Sequence, residues 1–378
     1  MRVELCANLG GIDAETWDAM AADDDPFADH AFLRALETSG SVGPGTGWEP
    51  MHVTVWDDGR LVGALPLYAK HHSYGEYIFD WSWASAAERA GIRYYPKLVS
   101  MAPFTPATGT RLLCARDADR AAVADAVVRG VFRAQAEVGA SSVHLLFLRE
   151  DECALFLSHG SFVARLSTQF HWHNDGYASF DDFLGRFRSV LRKQVHRERR
   201  RVRESGLEVR VLEGPELGDA EWSALAGFYF DTCQRRGSGP YLTRAFFDEL
   251  RRTHAARVVA ALAYRGRVPV AGTLNFQKGR HLYGRYWGAT EEQPGLHFEL
   301  CYYRLIERAI AQRLTRFEAG AQGIHKLRRG LMPAEVHSAH WIGHAALARA
   351  VAEFLPREAE SVREENASLA LHGPFRRG

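Results

Sequence analysis

Residues 51–70 read MHVTVWDDGRLVGALPLYAK, two apolar, β-rich runs around a D-D-G-R turn. Such runs around a short polar turn predict an antiparallel hairpin. The plan returns at 257–279, RVVAALAYRGRVPVAGTLNFQKG, around R-G-R. Each hairpin leads to a predicted third strand carrying Y-G-x-Y: Tyr74, Gly75 and Tyr77 first, then Tyr283, Gly284 and Tyr286. A long helical stretch and a further strand follow in each half, ADRAAVADAVVRGVFRAQAEVGA with SVHLLFL, and LHFELCYYRLIERAIAQRL with TRFEAGA. In the second helix Leu300, Tyr303, Ile306 or Glu307, and Ile310 mark one face. Hairpin, strand, helix and returning strand, all occurring twice, imply two similar α/β halves.

The 378 residues are 46% hydrophobic and 25% charged, which is globular and of a length for about two domains. A formal net charge of +1 excludes a chain-wide electrostatic footprint for nucleic acid and confines any polyanion contact to a local patch. Cys6, Cys114, Cys153, Cys233 and Cys301 are scattered and never spaced C-x-x-C, which fits neither a disulfide framework nor a zinc site. The H-W-H at 171–173 and the His71–His72 pair lack a third ligand at metal spacing, so no metal is expected. No apolar run has the length of a signal peptide or a bilayer span, and the expected location is cytoplasmic.

Between the halves, SFDDFLGRFRSVLRKQVHRERRRVRESG (179–206) places Phe183, Phe187, Leu191 and Val195 four apart, with arginines and Lys193 crowding the other positions. Ser179, with Asp182 three residues on, suits a helix start and Gly206 a stop. The expectation is one basic amphipathic helix, either a solvated linker or a strip for an anion such as a nucleic-acid backbone, with Arg192, Lys193, Arg197 and Arg200 as the contacts. The expected organisation is an N-terminal domain at 1–176, this linker at 177–206, a C-terminal domain at 207–342 and an amphipathic helical tail at 343–378, packed on the second domain.

With these segments in view, HAFLRALETSGSV, PLYAKHHSYGEYIFDW, YYPKL, PFTPATG, GYASFDDFL, PYLTRAFF, HFELCYY and EAGAQGIHKLRRG occur in that order. Through them nearly the whole chain resembles the FemAB-like N-acyltransferases, a group of peptidoglycan biosynthesis and recognition proteins. The resemblance implies two tandem GNAT-like domains and transfer of an acyl or aminoacyl group to an amine, with a cell-wall precursor or another small amine as acceptor. Acyl-CoA or aminoacyl-tRNA is the implied donor, with no tightly bound cofactor, and tRNA a possible partner. The alternative is a non-catalytic double-GNAT module that binds a precursor or a charged RNA. Relatives carry an acidic residue where this chain has Ile324, and a more basic run where it has Val190 and Leu191.

A GNAT pyrophosphate loop reads Q/R-x-x-G-x-G/A, and Gln234, Gly237 and Gly239 match it. Their helical flanks make this an expected interhelical turn. Where the second half should carry the loop, GATEEQPG offers Glu291 and Glu292, which repel a pyrophosphate. In GAQGIHKLRRG (320–330) the glycines permit close approach or positive φ. Lys326 resembles the reaction-centre lysine of FemX-like transferases, and is read as a partly exposed group that polarises a carbonyl. Glu318 and His325 are candidate proton acceptors. Arg285 and Tyr286 are candidate cleft residues, and Arg285 suits a carboxylate or phosphate. His72, Ser73, Tyr74, Glu76, Asp80 and Trp81 mix charge with aromatics on a predicted strand, a candidate substrate wall. The implied site lies in the cleft between the domains.

Overall fold

The structure is a computed structural model, which describes residues 1–237, 239–320 and 323–376. The chain forms two compact units: Met1–Thr168 with Glu335–Glu364, and Gln169–Ala334 with Glu365–Gly378.

In the first unit β1 (Arg2–Cys6), α1 (Ala14–Met20) and α2 (His30–Thr38) precede β2 (Trp48–Pro50), β3 (His52–Asp57), β4 (Arg60–Leu65) and β5 (Tyr68–Lys70). Then come α3 (Trp81–Arg89), β6 (Lys97–Ser100), β7 (Leu113–Cys114), α4 (Arg120–Val138), β8 (Ser142–Leu148), α5 (Glu150–Ser158) and β9 (Val163–His173). The expected hairpin forms between β3 and β4, turning at Asp58 and Gly59, both with positive φ. The strands order as β1-β3-β4-β7 and as β2-β5-β6-β8, followed by a later strand. Pro66 lacks the amide hydrogen a ladder needs, and it falls between β4 and β5, which join these two groups respectively. The side chains of Val53, Val55, Ala124, Val127 and Val131, on β3 and α4, are fully buried. Each valine so buried contributes roughly 1.5–3 kcal/mol.

In the second unit α6 (Phe180–Gly185), α7 (Ser189–Glu204), β10 (Glu208–Glu213), α8 (Asp219–Arg235) and α9 (Arg244–His254) lead to β11 (Val258–Arg265), β12 (Val268–Lys278) and β13 (His281–Ala289). The chain continues through α10 (Leu296–Phe298), a π-helical turn (Glu299–Tyr303), α11 (Arg304–Ala311), β14 (Arg316–Glu318) and a 3-10 turn (Ile324–Arg329). The strands order as β10-β11-β12-β13-β14-β9. Polar N-caps start several helices of both units: Asp13, Asp119, Ser179 and Thr243 each accept a backbone N–H of α1, α4, α6 and α9.

The last elements are β15 (Met332–Ile342), antiparallel to β8, and α12 (Ala345–Leu371). Leu347, Val351 and Leu355 of α12 pack with Trp83, Ala87 and Tyr94. The tail thus returns to the first unit as far as Glu364, and only its end packs on the second unit, where the sequence had placed all of it. Its apolar stripe meets the buried side of α3.

Two further expectations change. The 179–206 segment is not one helix but α6 and α7, broken where Phe187 forms a bridge with Phe375 and is fully buried. Tyr74, Gly75 and Tyr77 lie in a turn after β5, where Gly75 and Tyr77 have φ of +84° and +63°, while Tyr283 and Tyr286 do lie on β13. Parallel pairing places the counterpart of β13 elsewhere. β6 runs parallel to β8 as β13 runs parallel to β14.

Candidate functional site

The geometry of the second unit is set by β13 and β14. They pair in parallel at His281 with Arg316, Leu282 with Phe317 and Tyr283 with Glu318. Beyond this short ladder β13 continues to Ala289, whereas β14 has ended. The β12–β13 register shifts there too: Leu274 faces Tyr286 and Asn275 faces Gly284, leaving Arg285 as the bulged residue. Bulges re-aim side chains at such places. The Arg285 guanidinium lies 4.8 Å from the Tyr286 ring centroid and donates to its hydroxyl at 3.3 Å. These two candidates are therefore brought together.

Glu318, at the end of β14, is 2% exposed. Its carboxylate lies 3.1 Å from the Arg316 guanidinium and 3.7 Å from the His171 imidazole. His171 is held well below the usual histidine range by burial first, then by the charges of Arg316, His173 and Lys326. It is an uncharged neighbour of both Glu318 and Lys326.

The 3-10 turn after β14 is framed by glycines. Gly323 has φ +118°, and a Cβ there would lie 2.4 Å from the His325 ring; Gly330 has φ +87°, and its Cβ would meet the Phe183 ring at 2.5 Å. Only glycine fits either position. Within the turn Lys326 is 3% exposed and its Nζ donates to the Gly320 carbonyl at 2.7 Å. Burial pulls its pKa from 10.5 to about 8. The expectation of a partly exposed lysine is thus corrected. The turn folds Lys326 inward while Ile324, at 66% exposure, points out.

His325 meets the Tyr302 hydroxyl at 2.9 Å through Nε2. Its pKa is lowered by burial and then by the Arg329 and Lys326 charges, so the ring is neutral at pH 7. Tyr302 is buried on the π-helical turn, a geometry common at functional sites. His297, whose ring centroid is 5.8 Å from that of His325, is pushed down to about 4 by burial.

Helix α7 packs through Val195, Glu198 and Val202. Glu198 accepts from Arg329 at 2.9 and 3.1 Å, and from the Tyr303 hydroxyl. Its backbone carbonyl lies where a Cβ on Gly295 would make a 3.2 Å contact, so α7 covers the start of α10. On the other side Lys193, Arg197 and Arg200 are exposed and Arg192 is half-buried. Arg200 approaches Glu204 at 3.9 Å; among the described residues Arg192, Lys193 and Arg197 make no ion pair. Gln234 lies in the last turn of α8 and Gly237 in the connection to α9, as their flanks predicted, and Ser238 beside Gly237 lies outside the described residues.

The remaining candidates belong to the first unit, around a cation whose role the sequence did not reveal. Lys97 on β6 is fully buried, with Nζ 2.8 Å from Ser73 Oγ, 2.8 Å from Glu76 Oε2 and 2.5 Å from Asp80 Oδ2. Burial opposes its charge, but the two carboxylates outweigh that and hold its pKa above the ordinary value. Lys70, fully buried on β5 and 3.9 Å from Glu76, is pulled down to about 7 by burial, and Glu76 is pushed up to about 7 by the same cause. His144 lies 3.8 Å from Asp80, and its Nδ1 is 2.8 Å from Nδ1 of His340. Glu76 and Asp80 thus support the fold from inside, while Tyr74 and Trp81 are 57% and 42% exposed. The one signal for Lys70 and Lys97 was a lysine inside an otherwise apolar strand.

The family model described as FemAB-like, peptidoglycan biosynthesis/recognition, matches residues 8–377. No curated protein matches the chain by sequence. Among solved structures, FemX is similar with a TM-score of 0.55 at 12% identity, covering 93% of this chain and 100% of that one. The C-terminal domain of a putative lysylphosphatidylglycerol synthetase from Agrobacterium fabrum gives 0.53 at 12% identity, over 92% and 96%. L-PGS from Bacillus licheniformis gives 0.51 at 10% identity, over 91% and 97%. The likeness is one of fold, and each unit is GNAT-like.

Proposed function

The chain belongs to the FemAB-like family of peptidoglycan biosynthesis and recognition proteins, and from that premise we propose that it transfers an acyl or aminoacyl group to an amine, with the 318–330 segment supplying the chemistry. The observation that carries this reading is Lys326, a buried ammonium held on a backbone carbonyl beside a neutral histidine. In such a transfer the amine nitrogen attacks the donor carbonyl, a C–N bond forms and the bond to the carrier breaks. The amine proton passes to His325, oriented by Tyr302, and then to the departing carrier. Lys326 faces the oxyanion, where a preorganised cation in a low dielectric is worth most. Glu318, engaged with Arg316, holds that arginine and His171 in place.

Two features favour an aminoacyl-tRNA donor over acyl-CoA. Helix N-termini bind pyrophosphate through free N–H groups; here Asp119 caps α4 and α7 covers the start of α10. Arg192, Lys193 and Arg197 of α7, by contrast, make no ion pair among the described residues and are available to a phosphate backbone. The acceptor in this reading is an amine of a cell-wall precursor. The test is to supply a muramyl pentapeptide carrying a lysine side chain with either charged tRNA or acetyl-CoA, and to detect the amide product by mass. Product from charged tRNA is expected. Product from acetyl-CoA alone would overturn the donor, and none from any donor would overturn the transferase reading.

A further inference from the structure

The segment 72–81, HSYGEYIFDW, faces two ways. Ser73, Glu76 and Asp80, all at most 2% exposed, turn inward onto the Lys97 ammonium. Between them Tyr74, Phe79 and Trp81 turn outward, at 57%, 36% and 42% exposure. The outward rings touch one another: Tyr74 meets Trp81 edge-on at 5.2 Å, and Phe79 stacks on Trp81 at 5.7 Å with 22° between the planes. The turn holds Tyr77 at φ +63°, a conformation that costs a non-glycine residue energy. Arg165 donates to the Phe79 carbonyl at 3.0 Å and so fixes the far end. The three rings stay partly exposed above a strained turn and are pinned from beneath by a buried ionic layer. They form a rigid stacking surface.

We infer that Tyr74, Phe79 and Trp81 form a binding platform for a sugar ring of the cell-wall acceptor. This rests on the transferase reading for the identity of the acceptor. The charge distribution selects the ligand class. Both carboxylates of the segment are spent on Lys97, and the Lys70 ammonium is buried against the Trp48 ring and the Tyr74 carbonyl. The three outward rings are therefore an aromatic surface without a charge of their own, and the nearby Arg165 is paired with Glu358; such a surface matches the C–H face of a pyranose and suits a phosphorylated group poorly. Aromatic side chains with an apolar face and a fixed position suit such contacts at low entropic cost. Lys97 is a positioning residue, since it touches the turn and not the ligand.

The experiment needs no donor. Binding of an N-acetylglucosaminyl-N-acetylmuramyl dipeptide, of the free dipeptide and of uridine monophosphate is followed by saturation-transfer NMR and tryptophan fluorescence on the full chain. The native protein should bind the disaccharide peptide, with saturation strongest at the sugar-ring protons, and at least about tenfold more tightly than either other probe. Trp81→Ala, at an exposed position that leaves the melting temperature in place, should weaken that binding about tenfold or more. Lys97→Met should weaken it as well while leaving Trp81 itself present. Equal affinity in native and Trp81→Ala protein, equal binding of the bare dipeptide, preference for the nucleotide, or no binding at all would each overturn the platform. Sugar binding without transfer would count against the transferase reading alone, and transfer that ignores Trp81→Ala against the platform alone.

Discussion

Lys326 and His325 titrate on opposite sides of neutrality, and their combined state fixes the pH range of the proposed chemistry. In the folded chain Lys326 gives up its proton near pH 8, whereas an unfolded lysine keeps it to about 10.5. Across that window the unfolded state binds more protons, so the contribution of this group to stability rises with pH. A step that needs the ammonium runs the other way. Turnover should fall as pH climbs through about 8, and on the acid side it should fall only below the ordinary histidine range, because His325 is shifted down. A bell-shaped profile of kcat against pH checks both limbs. In Lys326→Met the rise in melting temperature between pH 8 and 10.5 should shrink, and Tyr302→Phe, which breaks the 2.9 Å bond to His325, should lower kcat with little change in KM. The residue types at this site were legible as a glycine-framed basic stretch. Their environment was not, because the groups that act on them, His171, Cys301 and Tyr302, are distant in sequence.

For the elements, α7 is the informative case. Its apolar spacing was readable, and Val195 and Val202 are buried as that spacing requires. Glu198 was not readable, since an acidic residue among arginines looks like solvated surface until Arg329 and Tyr303 are seen around it. The exposed cations should carry polyanion binding. Replacing Arg192, Lys193, Arg197 and Arg200 by alanine should reduce the slope of log affinity for tRNA against log salt by about 0.7–0.9 for each phosphate that is no longer neutralised. A slope equal to that of the native protein would leave α7 a solvated helix. The break before α7 makes a separate prediction. Phe187 is fully buried between the rings of Phe183 and Phe375, at 4.9 and 5.3 Å, and Phe187→Ala should cost about 3–5 kcal/mol in denaturant unfolding. The four-residue apolar spacing of 179–206 hid this break because Phe187 keeps the spacing while leaving the helix.

At the level of the whole chain, the double GNAT-like fold was legible because each unit repeats hairpin, strand, helix and parallel strand with its own hydrophobic pattern. The repeated Y-G-x-Y misled the alignment of the halves. Similar letters fell on a strand in one unit and on a strained turn in the other, and the true counterpart of β13 was the short strand carrying Lys97. That buried lysine had no periodic signature, because the carboxylates that neutralise it come from the turn and not from β6. The family and the fold leave one deciding question, whether Lys326 acts on the transition state. The direct measurement is single-turnover transfer by native and Lys326→Met protein, with donor and acceptor affinities and melting temperatures taken on the same preparations. The transfer rate should fall by roughly 10²–10³ while both affinities and the fold are retained. A transfer rate equal to that of the native protein would contradict a role for Lys326 in the transition state.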